Sequence, residues 1–430
     1  MKKRIAIWYK NDLRLSDHPA LHAALQPDAA IVPFYCLNPE QFETGKLGLR
    51  RTGAFRAAFL LDGLRALDAE LRTAGSGLLL FQEKAEKALP KFVAEWNIDA
   101  VFTLDEFGKE ERSELVRVQQ LLAETNTEVR IFSPELLLPM EQQPFAPEKV
   151  PDVFTAYRHK AEAVHLPTEI LPGPKFIHSP EIPELRLPAL RELGLNLPPE
   201  DQRSAFPFPA GEKAALQRLH YYGAGSQLLS QYKETRNGLS GTGYSSKFSP
   251  WLAQGSLSAR MVYREVKRYE MEYGANQSTY WLIFELRWRD FFRMMMQKHG
   301  SSMFAFKGFR KEFTPPSGRS EQVFRSWTDG NTGQPLVDAA MRELRSTGFM
   351  SNRMRQVVAS YLIDYQHIDW RLGAAWFEEQ LIDYDVSSNW GNWAYQAGVG
   401  NDPRGKRIFN PDRQAEMYDP AGDYRRLWNN

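Results

Sequence analysis

Ala30-Ile31-Val32-Pro33-Phe34-Tyr35-Cys36 is a short run of almost entirely apolar residues. Residues 52–72 follow it and carry large apolar side chains at helical spacing, and residues 77–81 form a second apolar run. Short runs of this kind are typical of strands that are buried on both faces of a sheet. A strand, a helix and a strand in succession predict parallel strands joined by a crossover helix.

The same pattern extends through the first third of the chain. Further apolar runs cover residues 4–8, 100–104 and 129–132. Together the runs predict an α/β domain with a doubly wound parallel sheet over residues 1–133. No Gly-x-Gly-x-x-Gly segment follows the first strand, which argues against a dinucleotide site of the usual Rossmann kind.

The rest of the chain divides into two parts. Fifteen of the 27 prolines fall within residues 134–209, which predicts a long inter-domain linker wrapped over the surface. From residue 210 to residue 430 the periodicity is helical, as in residues 279–298 and 336–345, and alternating strand patterns are nearly absent. We expect an all-helical second domain there.

Composition and charge narrow the class of protein. The single cysteine, Cys36, excludes an internal disulfide and is typical of a reducing compartment. No apolar run is long enough to span a membrane and no signal peptide is evident, so we expect a soluble, cytoplasmic protein. Residues 1–202 hold 24 Lys and Arg against 30 Asp and Glu, and residues 203–430 hold 30 against 23. The basic half could attract a polyanion, although an ordinary solvated surface would show the same balance.

A loop at residues 241–250 combines small residues, hydroxyl groups and Lys247 just before a helix start. Free backbone N–H groups and the helix dipole favour an anion at such a position. The loop could therefore hold a phosphate or pyrophosphate. The alternative is a plain capped loop, since short hydroxyl-rich loops are common.

Two helical segments carry polar groups on one face. Glu285, Trp288, Arg289 and Phe292 are spaced three and four residues apart, which predicts one wall of a polar pocket or a surface ion-pair cluster. Residues 347–356 place the amides of Asn352 and Gln356 four residues apart, and Arg355 beside them could turn inward to a carboxylate.

Residues 383–395 hold two carboxylates, two amides and four aromatic rings. No His or Cys accompanies the acids, which argues against a transition-metal site. Paired acids could perform glycosidase-like acid and base chemistry, whereas an aromatic-rich site also suits a planar ligand held by its polar edges. The residues alone predict a pocket for a planar cofactor or a nucleobase.

Taken together and in this order, these segments resemble the photolyase/cryptochrome family, and most closely its DASH group. The resemblance covers nearly the whole chain. It rests on Trp8-Tyr9-Lys10-Asn11-Asp12-Leu13-Arg14-Leu15-Ser16-Asp17-His18, Tyr244-Ser245-Ser246-Lys247-Phe248-Ser249-Pro250-Trp251, Tyr280-Trp281-Leu282-Ile283-Phe284-Glu285-Leu286, Asn389-Trp390-Gly391-Asn392-Trp393 and Gly400-Asn401-Asp402-Pro403-Arg404.

The resemblance implies FAD folded in a U shape within the helical domain. Residues matching its phosphate-side contacts are Tyr232, Ser245, Ser246, Lys247, Phe248 and Ser249, with Arg289 nearby. Asp383 and Asp385 match the acids that face the ribityl and isoalloxazine parts, and Arg355 matches the arginine paired with the first acid. Asn389 matches the residue beside flavin N5.

The resemblance also implies photoreduction along three tryptophans that lead from the flavin to the surface. Trp393 and Trp370 match the flavin-proximal and middle members. The position of the outer member holds Ser317, so either another aromatic residue substitutes or photoreduction is slow. Core packing is the alternative role for each tryptophan.

The resemblance further implies that a flipped pyrimidine dimer would lie between Trp288 and Tyr395, with Glu285 and Asn352 as its polar partners. Tyr395 stands where duplex-active photolyases have Trp, and Gln356 stands where they have Met. The smaller ring and the more polar wall recover less of the unstacking cost, which favours single-stranded or looped DNA. Neither Asn352 nor Gln356 is the histidine of (6-4) photolyases, which argues against that activity.

In the first domain, Glu106 matches a glutamate that contacts the antenna pigment 5,10-methenyltetrahydrofolate. A solvated acidic helix start is the alternative. The resemblance thus predicts a monomeric, blue-light-dependent lyase of the deoxyribodipyrimidine photolyase type, acting on cyclobutane pyrimidine dimers. The alternatives are a photoreceptor or DNA-binding regulator with little or no repair turnover, and a flavin redox or storage protein.

Overall fold

Five parallel strands form the sheet of the first domain, side by side in the order Leu79–Phe81, Ala29–Cys36, Lys3–Tyr9, Ala100–Leu104 and Glu128–Phe132. The computed structural model describes residues 3–310, 313–403 and 407–429, so Arg404 of the last motif lies outside the described residues. Each strand begins and ends within two residues of a predicted apolar run. The strands are β1 (Lys3–Tyr9), β2 (Ala29–Cys36), β3 (Leu79–Phe81), β4 (Ala100–Leu104) and β5 (Glu128–Phe132).

Helices cover both faces of this sheet, which confirms the predicted doubly wound fold. Successive side chains of a strand point to opposite faces. Ile7 therefore packs in the core under α2, and Trp8 packs in the core under α3 and α4. The helices of this domain are α1 (Pro19–Ala24), α2 (Ala54–Thr73), α3 (Ala85–Trp96) and α4 (Lys109–Ala123).

The proline-rich segment does more than wrap the surface, contrary to the sequence-based expectation. It forms one α-helix, α5 (Phe154–Glu162), and three short 3-10 helices, Met140–Gln142, Pro147–Lys149 and Leu190–Leu193. Leu137 and Tyr157 are buried in the core of the helical domain, and Ile177 is buried in the core of the α/β domain. Proline has no backbone N–H, so many prolines indicate that regular hydrogen bonding is interrupted. They do not indicate whether the segment is buried, and the sequence therefore could not show that it contributes to both cores. The domain limits at residues 133 and 209 stay predictions.

The second domain is helical, as predicted. Within its described residues the only strand-like pairing is the isolated bridge between Gly318 and Ile368. Its helices are α6 (Glu212–His220), α7 (Tyr232–Thr235), α8 (Ser249–Gln254), α9 (Ala259–Tyr273), α10 (Gln277–His299), α11 (Glu321–Thr328), α12 (Pro335–Thr347), α13 (Asn352–Ser360), α14 (Trp370–Gln380), α15 (Val386–Gln396), α16 (Pro411–Tyr418) and α17 (Asp423–Asn429).

The segment after β1 connects the two domains through hydrogen bonds. Arg14 is 1% exposed and donates to the carbonyl oxygen of Gly255 at 2.9 Å and to that of Asp17 at 2.8 Å. Gly255 has φ +76°, and a Cβ there would lie 1.9 Å from the carbonyl oxygen of Asn11, so only glycine permits this approach. Glu212 completes this connection by accepting from the backbone N–H of Leu15 at 2.6 Å.

No helix among the described residues is both long enough and apolar enough to cross a membrane.

Candidate functional site

Arg218 shapes the loop at residues 241–250 from outside it. Its guanidinium donates to the carbonyl oxygens of Ser246 at 3.0 Å, Thr242 at 2.8 Å and Ser245 at 3.2 Å. Lys247 in this loop has φ +63°, an uncommon conformation for a residue with a side chain. The carbonyl groups therefore point at Arg218. Sequence reasoning missed Arg218 because more than twenty residues separate it from the loop.

Lys247 has a buried amino group with no hydrogen-bond acceptor among the described residues. It is 2% exposed, and its ammonium nitrogen lies 3.0 Å from the ring centroid of Tyr244. Burial lowers the pKa of Lys247 well below its usual value. A buried ammonium group is costly unless an anion or another acceptor is close. The loop is therefore suited to an anionic ligand group.

Tyr232 and Phe248 lie at the same end of the site. Tyr232 is buried at the start of α7, and Ser249 is the first residue of α8. The rings of Tyr232 and Phe248 both contact Tyr222, at centroid distances of 6.5 and 5.8 Å. The structure thus brings the aromatic members of this predicted set together around one ring that the sequence did not single out.

Arg355 and Asp383 form a buried ion pair. Nη2 of Arg355 donates to Oδ2 of Asp383 at 2.8 Å, and Nε of Arg355 donates to the carbonyl oxygen of Met350 at 2.9 Å. Oδ1 of Asp383 is buried and has no donor among the described residues. An unpaired carboxylate oxygen in this position is suited to a ligand hydroxyl or N–H group.

Asp385 belongs to a chain of alternating charges that crosses from the proline-rich segment to α15. Glu135 accepts from Arg289 at 2.6 Å and from Arg293 at 3.1 Å, and Arg293 also donates to Asp385 at 3.1 Å. Burial alone would raise the pKa of Glu135 and of Asp385. The guanidinium groups of Arg289 and Arg293 outweigh burial and hold the pKa of each acid at about 2. Both acids therefore stay charged at neutral pH.

Arg289 and Glu285 have different partners, although their helical spacing predicted one pocket wall or one ion-pair cluster. Arg289 turns to Glu135 and to the carbonyl oxygen of Leu252, whereas Glu285 pairs with Arg236. Spacing along α10 places two side chains near each other, but their partners come from different parts of the chain. One guanidinium nitrogen of Arg289, Nη1, is buried without a hydrogen-bond partner among the described residues.

Asn389 is fixed by the neighbouring helix. Its Nδ2 donates to the carbonyl oxygen of Ala374 at 3.0 Å, and the residue is 8% exposed. Asp385 caps the helix that carries it, accepting from the backbone N–H of Ser388 at 2.8 Å. This contact orients the amide, whose oxygen and second N–H can bind a ligand.

Trp393 and Trp370 lie on facing helices. Trp393 packs against Phe377 at 5.1 Å and Trp327 at 6.3 Å between ring centroids. Its indole also fills the space beside Gly373, where a Cβ would lie 2.2 Å from the ring. Gly373 follows Trp370 by one turn of α14, so the two predicted tryptophans meet the same part of that helix.

Trp288 and Tyr395 form an open aromatic corner. Their ring centroids are 6.1 Å apart and their planes are nearly perpendicular, at 88°. Phe154 stacks on Trp288 at 3.7 Å and holds it in place. Sequence reasoning missed Phe154, which comes from the proline-rich segment. A flat apolar group could contact both rings of the corner.

Polar groups flank this corner. Burial raises the pKa of Glu285, and the guanidinium of Arg236 opposes that rise. Asn352 is exposed at the start of α13. Oε1 of Gln356 accepts from Arg353 at 2.9 Å, so the amide oxygen of Gln356 already has a partner within the protein. Glu285 lies one turn before Trp288 on α10, and Asn352 and Gln356 lie one turn apart on α13.

Glu106 lies at the carboxyl edge of the sheet. It follows β4, and its Oε1 accepts from Nδ2 of Asn11, which follows the adjacent strand β1, at 3.2 Å. The strand order reverses between these two strands, and such switch points are common ligand sites in α/β sheets. Burial raises the pKa of Glu106 and raises that of the neighbouring Glu111 to about 7.

Within the described part of the chain, no group of three or more His, Cys, Asp or Glu side chains could hold a metal ion.

Comparison with known proteins identifies both domains. A family model described as DNA photolyase matches residues 5–176, and one described as the FAD binding domain of DNA photolyase matches residues 281–429. A Cryptochrome DASH of Gloeobacter violaceus is 46% identical over 99% of this chain and 85% of its own length.

Two solved structures share the whole architecture. A crystal structure of a Synechocystis cryptochrome matches with a TM-score of 0.93 at 43% identity, covering 99% of this chain and 88% of that one. A bacterial class III photolyase from Agrobacterium tumefaciens matches with a TM-score of 0.85 at 29% identity, covering 100% and 86%. These matches assign FAD as the cofactor type and imply flavin-based, light-dependent chemistry related to DNA repair. The chain therefore belongs to the photolyase/cryptochrome family and, within it, to the DASH cryptochromes.

Proposed function

We propose that the protein is a lyase of the deoxyribodipyrimidine photolyase type, which splits cyclobutane pyrimidine dimers and prefers single-stranded or looped DNA. The observation that carries the proposal is the aromatic corner of Trp288 and Tyr395 with Glu285 beside it. FAD, when bound, reduced and excited by blue light, supplies the electron for the splitting.

The buried polar atoms fit FAD. Lys247 offers a buried amino group without a partner in a loop that precedes a helix start, which suits the phosphate side of the cofactor. Oδ1 of Asp383 and the oxygen of Asn389 offer acceptors among aromatic side chains, which suits the polar edge of a planar ring. Nζ of Lys247 and Oδ1 of Asp383 are buried, so without a ligand partner they would destabilise the fold.

The aromatic corner would receive the dimer after it leaves the DNA stack. Trp288 and Tyr395 would contact the two pyrimidine rings, while Glu285 and Asn352 would hydrogen-bond their edges. Extracting a nucleotide from a duplex costs a few kcal/mol, and stacking on aromatic side chains recovers part of it. Tyr395 and the polar Gln356 recover less than larger apolar residues, so an already unstacked strand is the better substrate.

We also propose that Glu106 and Asn11 hold 5,10-methenyltetrahydrofolate as an antenna. The support is their position at the switch point of the sheet and the burial of a carboxyl group there. The absorption spectrum of purified protein tests this. A near-ultraviolet band beyond those of the flavin should be present and should be lost in Glu106→Gln. A wild-type spectrum of flavin alone after incubation with the folate would contradict it.

The test of repair uses reduced protein, blue light and oligo(dT) that contains dimers. Glu285→Ala should lower the repair yield about tenfold, because one or two hydrogen bonds to the flipped base are lost. Glu265→Ala is the matched control, since Glu265 is also ion-paired, to Arg268 at 2.6 Å, but lies outside the corner. It should repair as the wild type does.

The same experiment separates the rival functions. Binding of FAD and dimer-containing DNA without any loss of dimers would end the repair proposal and favour a photoreceptor or DNA-binding regulator. Absence of DNA affinity at moderate salt would favour a flavin redox or storage protein. The cytoplasmic location and the monomeric state stay predictions, which fractionation and light scattering would test.

A further inference from the structure

The photoreduction path lacks its expected outer member. Trp393 and Trp370 supply two indoles on facing helices, whereas Ser317 holds the position of the third. Trp370 is fully buried, and its indole N–H donates to the carbonyl oxygen of Phe306 at 3.0 Å. An oxidised Trp370 would therefore have neither solvent nor a proton acceptor beside it.

Trp390 continues the path from Trp370. The two ring centroids are 5.8 Å apart with planes at 74°, so the indoles are in edge contact. Trp390 is 6% exposed and lies beside the half-buried Tyr384, whose hydroxyl oxygen is 3.3 Å from its indole nitrogen. The path thus moves from a fully buried ring to one at the margin of the core.

Glu378 distinguishes Trp390 from the other candidates. The indole N–H of Trp390 donates to Oε2 of Glu378 at 3.1 Å. The indole N–H groups of Trp370 and Trp327 donate to backbone carbonyl groups, which do not take up protons at ordinary pH. A one-electron-oxidised indole is a much stronger acid than the neutral ring, so a carboxylate at this distance can accept its proton.

Trp327 is the competing candidate, because its ring also contacts Trp393, at 6.3 Å. It is fully buried, and its stacked neighbours are Phe324 and Phe377, whose rings are poor electron donors. Its N–H donates to the carbonyl oxygen of Val358 at 3.1 Å. An oxidised Trp327 would have no proton acceptor, so it would take an electron back from Trp393.

We propose that Trp390 is the outer electron donor of this protein and that Glu378 takes its proton. The proposal rests on the FAD of the proposed function and on the tryptophan path that the family resemblance implies, in which bound FAD takes an electron from Trp393 and Trp393 takes one from Trp370. Trp390 gives one electron to the oxidised Trp370, which becomes neutral again. Trp390 then loses its indole proton to the Glu378 carboxylate, which leaves a neutral indole radical and a protonated Glu378. Loss of the proton makes electron return slow.

Time-resolved absorption of the FAD-containing protein after a blue flash tests this assignment. Trp390→Phe should shorten the lifetime of the oxidised tryptophan signal by about tenfold or more. Trp327→Phe is the matched control, since it makes the same substitution at an equally apolar site next to Trp393, and it should leave the lifetime unchanged. The thermal midpoint and the bound flavin spectrum show that each variant is folded and loaded.

Glu378→Gln supplies a second test that keeps Trp390. The cationic and neutral tryptophan radicals have different visible spectra, and this variant should show the cation in place of the neutral form. A wild-type lifetime in Trp390→Phe, or a larger loss in Trp327→Phe, would overturn the assignment. A wild type with bound FAD but no tryptophan oxidation in the light would overturn the photoreduction path itself, whereas repair could still be measured with chemically reduced protein.

Discussion

Arg355 donates to Oδ2 of Asp383 over 2.8 Å and leaves Oδ1 of the same carboxylate buried without a donor among the described residues. One oxygen of Asp383 thus serves the fold and the other is available to a ligand. The arginine orients the carboxylate, because charge-assisted pairs of this kind are the stronger hydrogen bonds. A cofactor that donates to Oδ1 would complete the site.

Asp383→Asn should therefore release FAD more readily. The substitution removes the charge that Arg355 holds and replaces one carboxylate oxygen by an N–H₂ group, so we expect FAD affinity to fall by about 2 kcal/mol. Flavin content after gel filtration and a fluorescence titration measure the loss. Asp419→Asn is the matched control, because Asp419 is as buried and pairs with Arg425 at the same 2.8 Å. Equal flavin loss in both variants would contradict a ligand role for Asp383.

Lys247→Met should raise the stability of the apoprotein and lower its affinity for FAD. Without an anion, the buried ammonium destabilises the fold, so methionine at this position should raise the thermal midpoint of the apoprotein. With FAD, the variant loses a phosphate partner and should bind the cofactor about tenfold more weakly. Lys87→Met, on the exposed face of α3, controls for the loss of a lysine. A lower midpoint in both states would argue that Lys247 has a purely structural partner.

Glu135 should stabilise the folded protein at neutral pH, and this contribution should be lost in acid. Its pKa in the folded protein is about 2 against a usual 4.5, and a lowered pKa stabilises the folded state at pH values above the usual one. The contribution, about 3 kcal/mol, is complete above pH 4.5 and is lost as the pH falls toward 2.

Urea unfolding across this pH range checks the prediction. Glu135→Gln should be less stable than the wild type at neutral pH, and the difference should shrink as the pH falls from 4.5 toward 2. Glu128→Gln removes an exposed ion pair with Lys3 and should change stability by less than about 1 kcal/mol at any pH. A constant difference between Glu135→Gln and wild type at every pH would contradict the charge chain.

The corner residues should set the strand preference. Replacing Tyr395 with Trp and Gln356 with Met in one protein enlarges the stacking surface and removes a polar wall. We expect repair of dimers in duplex DNA to rise by about tenfold relative to single strands, because stacking recovers more of the flipping cost. Competition between the two substrates in one reaction measures the ratio. An unchanged ratio would show that strand preference arises elsewhere.

The strands and the long helices could be predicted because their signals are local. The apolar run at residues 100–104 is strand β4 itself, and residues 279–298 lie within α10. The helical spacing of Asn352 and Gln356 likewise placed both on α13. These features depend on periodicity, which a single sequence carries.

The partners that orient the site depend on tertiary packing instead. Glu135 reaches Arg289 and Arg293 across more than 150 residues, and Arg218 holds its loop from another helix. The proline content of the segment that contains Glu135 predicted a surface linker and hid its contribution to both cores. Spacing also placed Arg289 with Glu285, although each turns to a partner on a different element.

The most direct measurement of the proposed activity counts dimers in single-stranded oligo(dT) after incubation with reduced, FAD-containing protein, in blue light and in darkness. We expect dimers to disappear in the light, with many repaired per protein molecule, and to persist in darkness. Equal dimer counts in the two arms, with FAD bound and reduced, would contradict light-driven repair by this protein.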